Sequence, residues 1–158
     1  MGVRGNQAVF SGRFDHAIDE KGRVSIPVRF REELQREGLD RLYITNYFHE
    51  RSRCLELYPP AEWTKLIDKI RQKASFEPRL QTFEMFYIGG AHEVQVDRQG
   101  RILIPPKLRE FANLGREVTF SARTDHFQLW DKQELERVLN AAHEKMMEDP
   151  EFFQKLGI

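Results

Sequence analysis

The chain has 158 residues, of which 40% are hydrophobic, and its 25 basic side chains balance its 25 acidic ones. This length and apolar content suit one ordinary globular domain or two small modules, and no run approaches the roughly 20 apolar residues that a membrane helix needs. The zero net charge excludes a protein that holds polyanions through bulk charge alone, so any binding to nucleic acid has to come from local patches.

The first residues and the cysteine content favour a reducing, cytoplasmic environment. The opening sequence MGVRGNQAVF contains no apolar signal-peptide core. Cys54 is the single cysteine, so one copy of the chain can form neither an intrachain disulfide nor a cysteine-based zinc site. We therefore expect a cytoplasmic protein that carries no cofactor.

A stretch of fourteen residues occurs twice in the chain. DEKGRVSIPVRFRE, at 19–32, recurs as DRQGRILIPPKLRE, at 97–110, with identity at seven positions. The similarity extends beyond this motif, because LYIT at 42–45 aligns with VTFS at 118–121. These matches predict a duplicated module.

Within each copy the hydrophobic period is first that of a strand. Val24 and Ile26 alternate with polar residues, and so do their counterparts Ile102 and Ile104, as in half-buried strands. The glycine before them tolerates the positive φ of a tight reversal, and an aspartate upstream can accept bonds from the backbone two residues on. Asp-x-x-Gly-Arg therefore predicts a hairpin turn between two strands.

Each second strand runs into Ile-Pro, which predicts the start of a helix. Proline forces the preceding residue into an extended conformation and suits the first helical position. The first helix should start at Pro27, face inward with Phe30 and Leu34, and end at Gly38, while a shorter helix should start at Pro105. Two further strands follow in each copy, which gives the order β-β-α-β-β twice.

Helices are also predicted between the copies and after them. The insert between the copies should contain two helices, the second of which covers 78–88 and ends at Gly89-Gly90. A capping box formed by Asp131 and Glu134 should start the last helix. The insert residues with amphipathic spacing are Trp63, Leu66, Ile67 and Ile70. The last helix is expected to bury Leu135, Val138, Leu139 and Ala142.

Positive charge clusters inside the two repeats. The segments 21–31 and 98–109 each contain four cations and no acid, whereas 131–151 holds seven acids and three bases. An arginine directly after a turn glycine can extend a planar fork of donors toward phosphates or guanine edges. Alternatively, each arginine only pairs with the aspartate of its own turn, and both interpretations can hold together. The candidate DNA-binding residues are Asp19, Lys21, Arg23, Asp97, Arg98 and Arg101, with basic loops expected at equivalent tips.

These motifs together resemble the MraZ family of bacterial transcriptional regulators of the division and cell-wall gene cluster. The resemblance rests on the doubled Asp-x-x-Gly-Arg followed by hydrophobic-x-Ile-Pro, on LYPPAEW at 57–63, and on YIGGAHEVQVDRQGRILIPPKLRE at 87–110. A single copy would suggest only the broader AbrB-like swapped-hairpin class. The resemblance covers roughly residues 9–145, and the chain departs from the family in a slightly extended N-terminus, Met1–Gln7.

The resemblance implies an α+β fold and an assembly. Its duplicated β-β-α-β-β modules would form one pseudo-two-fold swapped-hairpin AbrB-like β-barrel with peripheral helices. It also implies a ring homo-oligomer, associated with the nucleoid, that binds short direct repeats of double-stranded promoter DNA. In this family the DNA-binding loops carry an Asp-x-x-x-Arg motif, which corresponds here to Asp19, Arg23, Asp97 and Arg101. Neither a membrane nor a small-molecule substrate is implied.

The expected parts are a first AbrB-like module at 9–58, a helical insert at 59–88, a second module at 89–131, and a C-terminal helix and tail at 132–158.

Two other classes of function remain as alternatives. Catalysis is not expected, because no nucleophile motif is present and the histidines lack a metal-ligand spacing. We interpret all five as surface or turn residues: His16, His49, His92, His126 and His143. An antitoxin-like protein-binding module of the swapped-hairpin class is the stronger alternative. Its C-terminal tail should be polar and unpatterned, whereas the capped amphipathic helix predicted here favours a regulator.

Overall fold

The computed structural model describes residues 9–158, so the N-terminal extension at Met1–Gln7 lies outside the described residues. The elements in chain order are β1 (Arg13–Ala17), β2 (Arg23–Ser25), α1 (Val28–Arg36), β3 (Arg41–His49), β4 (Ser52–Tyr58), α2 (Pro60–Ala74), α3 (Pro78–Tyr87), β5 (His92–Gln95), β6 (Arg101–Leu103), α4 (Pro106–Phe111), β7 (Glu117–Ala122), β8 (Phe127–Asp131), α5 (Lys132–Glu148) and α6 (Phe152–Lys155).

The predicted order β-β-α-β-β is present twice. The first copy is β1-β2-α1-β3-β4 and the second is β5-β6-α4-β7-β8. Helices α2 and α3 form the insert between the copies, while α5 and α6 follow the second copy. None of these helices, within residues 9–158, has the length and apolar character required to span a membrane. The mixture of antiparallel strands and helices confirms the α+β class.

Strands of one copy pair with strands of the other. A six-stranded sheet has the order β1-β7-β8-β4-β3-β5, and a two-stranded ribbon pairs β2 with β6. All of these pairs are antiparallel. When the two copies are exchanged, the strand order reads the same from the opposite edge of the sheet. A pseudo-two-fold axis therefore relates the copies.

The strand register shows where this axis passes. Glu56 of β4 faces Gln128 of β8, and Val24 of β2 faces Ile102 of β6. Each pair joins equivalent residues of the two copies, so the axis passes through both ladders. The larger sheet is open, with β1 and β5 at its edges. The closed barrel implied by the resemblance is therefore not confirmed.

The predicted turns form, but the strands around them take their ladder partners from the other copy. In the first turn, Asp19 N donates to Arg23 O at 2.8 Å and Gly22 N donates to Asp19 O at 3.0 Å. Beyond these bonds, β1 pairs with β7 and β2 pairs with β6. The exchange places Val24 and Ile102, one from each copy, side by side on one buried face.

The main core lies between the six-stranded sheet and a layer formed by α1, α4 and the β2–β6 ribbon. Phe30 of α1 is fully buried, and its ring lies 5.4 Å from that of Phe10 and 4.7 Å from that of Phe127. Leu34 is buried beside it, as predicted. Both predicted Ile-Pro helix starts are confirmed, with Pro27 and Pro105 as the N-caps of α1 and α4.

Helices α2, α3 and α5 cover the opposite face of the sheet. Trp63 of α2 and Tyr87 of α3 are buried there against Tyr58 of β4. At the start of α5, Asp131 accepts a bond from the backbone of Glu134, as the capping motif predicts. The predicted burial holds fully only for Leu135, which packs against Trp130 of β8 and Cys54 of β4 on the face of the sheet. The other three predicted core residues of α5 are only partly buried, namely Val138, Leu139 and Ala142.

A buried polar cluster occupies the centre of the sheet, where β4 meets β8. Glu56 accepts hydrogen bonds from Tyr87 and, at 2.7 Å, from Gln128 Nε2, and it lies 3.0 Å from His126 Nε2. His126 Nδ1 lies 2.6 Å from Asp125. His126 lies in the bend between β7 and β8, so the interpretation of it as a turn residue is correct, but it is buried and is not a surface residue. Its two carboxylate partners satisfy both ring nitrogens within the fold.

The pKa values of Glu56 and His126 shift in opposite directions. Burial opposes ionisation of Glu56, but the bonds and charge of His126 together with the other donors outweigh it and lower the pKa of Glu56. Burial also disfavours protonated His126, yet Glu56 and then Asp125 outweigh that effect and raise the pKa of His126. Each shift favours the ionised form of the pair.

These shifts predict how the cluster contributes to stability as pH changes. The contribution of Glu56 is present above its ordinary pKa of 4.5, and that of His126 is present below its ordinary pKa of 6.5 and is lost as pH rises through the raised value. We therefore expect the free-energy difference of unfolding between the wild type and His126→Gln to shrink as pH rises from about 6 to about 9. Urea unfolding at several pH values measures this difference.

His143→Gln is the matched control, because His143 is exposed on α5. Its unfolding free energy should follow that of the wild type across the same pH range. A difference between the wild type and His126→Gln that stays constant with pH would show that the pair is not ionised in the folded protein.

Candidate nucleic-acid interface

In the first turn one carboxylate fixes both the backbone and the arginine. Asp19 Oδ1 accepts hydrogen bonds from the backbone nitrogens of Lys21 and Arg23, each at 2.9 Å. Asp19 Oδ2 accepts a bond from Arg23 Nε at 2.8 Å. The aspartate therefore holds the turn closed and sets the direction of the guanidinium.

The second turn repeats this geometry. Asp97 Oδ1 accepts bonds from the backbone nitrogens of Gln99 and Arg101, each at 2.9 Å, and Asp97 Oδ2 accepts a bond from Arg101 Nε at 3.0 Å. The backbone bond from Gly100 N to Asp97 O closes the turn at 2.9 Å. The interpretation that each arginine pairs with the aspartate of its own turn is correct for both copies.

Both aspartates are held in the ionised form. The backbone bond from Arg23 lowers the pKa of Asp19, and its side-chain bond and charge add to this effect. Arg101 lowers the pKa of Asp97 in the same order of causes. Each turn therefore carries an ionised aspartate paired with a charged arginine near neutral pH.

Each arginine keeps donors free for an external partner. The bond to the aspartate uses Nε, and within residues 9–158 no hydrogen bond engages the terminal Nη nitrogens of Arg23 or Arg101. Their side chains are 33% and 29% exposed. A guanidinium with its two Nη groups open to solvent can still donate to a phosphate or to a guanine edge.

The two arginines lie on the same face of the ribbon. Arg23 faces Leu103, and Ser25 faces Arg101, while Val24 between them points into the core. Since side chains alternate across a strand, all four of these outer residues share the face away from the core. Arg23 and Arg101 are diagonal neighbours, a relation that places residues roughly 7–8 Å apart.

Each turn is attached to the opposite copy at one end of this ribbon. Ile26 N donates to Gly100 O at 2.8 Å, and Ile104 N donates to Gly22 O at 3.0 Å. Because the strands are antiparallel, the turns flank the ribbon at its two ends. The structure thereby brings together Asp19 with Arg23 and Asp97 with Arg101 around one small basic surface.

The other two candidates are exposed but are not equivalent to each other. Lys21 aligns with Gln99, and Arg98 aligns with Glu20, so the extra cation lies one position apart in the two turns. The two basic loops are equivalent turns of the repeat, as expected, although Lys21 and Arg98 occupy different positions within them. The basic surface is therefore pseudo-symmetric only at its arginine pairs.

Sequence reasoning left one neighbouring cation unplaced. Arg31 of α1 donates from Nη1 to the backbone oxygen of Gln99 at 2.7 Å, which brings a further guanidinium to the second turn. The signal available in the sequence was the identity of Arg31 and Arg109 within the repeat. That identity alone did not show which backbone group the side chain reaches.

The part of the chain that the structure describes contains no group of three or more His, Cys, Asp or Glu side chains placed to hold a metal ion. The buried cluster around Glu56 lies on the opposite face of the sheet from the ribbon and is separate from the two turns. The basic surface of the ribbon is therefore the candidate functional site.

Comparisons with known proteins identify relatives over most of the chain. The family model described as "MraZ protein, putative antitoxin-like" matches residues 9–86 and again residues 87–154. A protein of Syntrophobacter fumaroxidans named "Transcriptional regulator MraZ" is 40% identical over 147 residues, which cover 93% of this chain and 91% of that protein. A protein of the same name from an Anaeromyxobacter species is 38% identical over 81% of this chain and 87% of its own length.

The solution structure of PHS018 from Pyrococcus horikoshii aligns with 76% of this chain and 95% of its own at 15% identity, but the TM-score of 0.36 is too low to bear on the fold. The family model matches in two halves, and the junction between them lies at the end of α3. On the strength of these matches over nearly its whole length, the chain belongs to the MraZ family of transcriptional regulators.

Proposed function

We propose that this chain is a sequence-specific DNA-binding regulator that acts on the promoter of the division and cell-wall gene cluster, including its own gene. The observation that carries the proposal is the pair of arginines on the outer face of the ribbon. Arg23 and Arg101 are each fixed through Nε by an aspartate and keep their Nη groups open. The transcriptional-regulator names of the relatives support the same conclusion.

The shape of the ribbon suits the major groove of DNA. That groove is about 12 Å wide and admits a two-stranded β-ribbon. Lys21 and Arg98 are exposed on the turns that flank the ribbon, where they can contact phosphates while the arginines approach base edges. The division of labour follows from geometry, because the arginines are held rigidly and the other two cations are free to adapt.

Affinity would come from repetition of this contact. A chain with no net charge and a few cations at one surface neutralises few phosphates, so a single copy should bind weakly and in a salt-dependent manner. A ring of subunits on short direct repeats would multiply these contacts through effective concentration. Exposed apolar side chains support such self-association, and they lie at the α2–α3 connection, in α3 and in the C-terminal tail: Phe76, Met85, Phe152, Phe153, Leu156 and Ile158.

The pseudo-two-fold exchange of strands supports a swapped-hairpin AbrB-like arrangement of the two modules as part of this proposal. The antitoxin-like alternative requires a polar and unpatterned C-terminal segment. Residues Lys132–Glu148 instead form a helix capped by Asp131 and packed on the sheet through Leu135. This observation favours the regulator.

Arg23→Ala and Arg101→Ala should each weaken binding to the upstream region of the protein's own gene by at least about tenfold. A well-formed bidentate contact to a base contributes about 1–3 kcal/mol, and the loss would recur in every subunit of the ring. Fluorescence anisotropy with labelled DNA measures the affinity.

Arg36→Ala is the matched control, because it removes the same charge from the far end of α1, where Arg36 is 64% exposed. Its affinity should stay near that of the wild type, and light scattering should give the same molecular mass for all three variants. If both turn variants bind like the control, the turns do not contact DNA.

Changing the distance between the DNA repeats tests the role of the assembly. An insertion of about five base pairs rotates one repeat by half a helical turn, so adjacent subunits could no longer reach both repeats from one side. We expect a sharp loss of affinity that an insertion of a full turn largely restores. Footprinting of the three DNA fragments measures the effect, and equal protection on all of them would contradict a ring that reads several repeats.

A further inference from the structure

The two turns match in their internal bonds but differ in what lies against their glycines. Gly22 is partly exposed, and a Cβ atom built there would meet Leu103 Cδ1 at 3.6 Å. Gly100 is buried, and a Cβ atom there would lie 2.5 Å from Arg31 Cδ and 2.7 Å from Arg31 Cζ. The side chain of Arg31 therefore lies flat against the backbone of the second turn.

Arg31 is also bonded to this turn. Its Nη1 donates to the backbone oxygen of Gln99 at 2.7 Å, across 68 residues of sequence. Arg31 belongs to the first copy, whereas Gln99 belongs to the second. Helix α1 of one module thus supports the turn of the other module, directly before the residue that begins β6.

The repeat places Arg109 at the equivalent position of α4, but Arg109 does not reach the first turn. Its Nε donates instead to the backbone oxygen of Leu114 at 3.2 Å, in the connection that follows its own helix. Arg109 therefore bonds within its own copy, whereas its equivalent Arg31 bonds to the other copy.

Helix length explains the difference. In α4 the chain leaves the helix through Asn113, which has a φ of 51°, and Leu114 N donates back to Arg109 O at 3.1 Å. In α1 the same cap involves Gly38, with a φ of 70°, and its bond runs from Leu39 N to Leu34 O at 2.9 Å. The carbonyl that accepts the capping bond belongs to Arg109 in α4. In α1 it belongs to Leu34, three residues after Arg31, which is the equivalent of Arg109. That extra turn leaves the guanidinium of Arg31 free to cross to Gln99.

We propose that Arg31 is a positioning residue that fixes the second turn, so that Arg101 is presented more rigidly than Arg23. A guanidinium that bonds a backbone oxygen and packs over a glycine restricts the turn at two adjacent residues. A side chain that is already ordered loses less conformational freedom when it binds a partner. The effect on DNA rests on the proposed function, whereas the effect on the turn does not.

Hydrogen exchange of the free, full-length protein tests the effect on the turn. In Arg31→Ala the backbone amides of residues 99–101 should exchange at least about tenfold faster, a change typical of the loss of one charge-assisted bond. The amides of residues 21–23 in the first turn should not change. Arg31→Lys should restore part of the protection, because lysine keeps a charged donor but lacks the planar surface over Gly100.

Arg109→Ala is the matched control, since it removes the identical residue of the repeat and should leave both turns unchanged. A purely structural role of Arg31 would accelerate exchange throughout α1 and the core as well. Unchanged exchange at 99–101 in Arg31→Ala, or equal acceleration in both turns, would overturn the proposal.

A double-mutant cycle tests the consequence for DNA. Arg31→Ala should weaken binding roughly fivefold in the wild type and in Arg23→Ala, but should have little further effect in Arg101→Ala, because the two residues act through one turn. Equal losses in both backgrounds would mean that Arg31 contacts DNA by itself and would overturn the positioning role. If neither Arg23→Ala nor Arg101→Ala changes affinity, the proposed function fails, and hydrogen exchange still decides the role of Arg31.

Discussion

The rest of the structure depends on the antiparallel pairing of β2 with β6, one strand from each copy. Val24 and Ile102 meet at the centre of this ribbon and bury its inner face, which forces the neighbouring residues outward. The same exchange pairs β1 with β7 and β5 with β3, so neither copy completes its sheet alone. A half of the chain would expose both the inner face of its ribbon strand and an unpaired strand edge. The two copies therefore form one cooperative unit.

In the proposed function, each turn of this unit combines a structural and a functional role in the same two residues. The carboxylate satisfies two backbone donors and still orients a guanidinium, which is why the spacing from aspartate to arginine is fixed. The ion pair is partly exposed, so its contribution to stability is small. The main effect of the ion pair is to fix the orientation of the Arg23 and Arg101 guanidinium groups on the outer face of the ribbon. In the proposed function, this arrangement concentrates recognition at a few cations of a chain that is neutral as a whole.

The pseudo-symmetry is broken in ways that follow from short sequence differences. Helix α1 is about one helical turn longer than α4, so its C-terminal cap lies beyond Arg31. Within residues 9–158, only the second turn receives a side-chain bond from the helix of the opposite copy. Where the pseudo-two-fold axis passes between β4 and β8, Glu56 faces its counterpart Gln128. A carboxylate in one copy and an amide in the other can bond each other directly, whereas two buried carboxylates would repel. The two copies therefore share one frame but differ in the side-chain contacts at their turns and at their central ladder.

The sequence by itself determined the duplicated order of elements, the tight turns at both glycines, and the helix starts after Ile-Pro. These features depend on local chemistry, namely positive φ at glycine, fixed φ at proline and the hydrophobic period of each segment. Only the tertiary structure decided that the strands exchange between copies, that His126 is buried, and that Arg31 reaches Gln99. Each of these outcomes joins residues far apart in the chain, because burial and long side-chain contacts depend on which surfaces meet. The hydrophobic pattern of a single segment does not show which surface of the chain it will pack against.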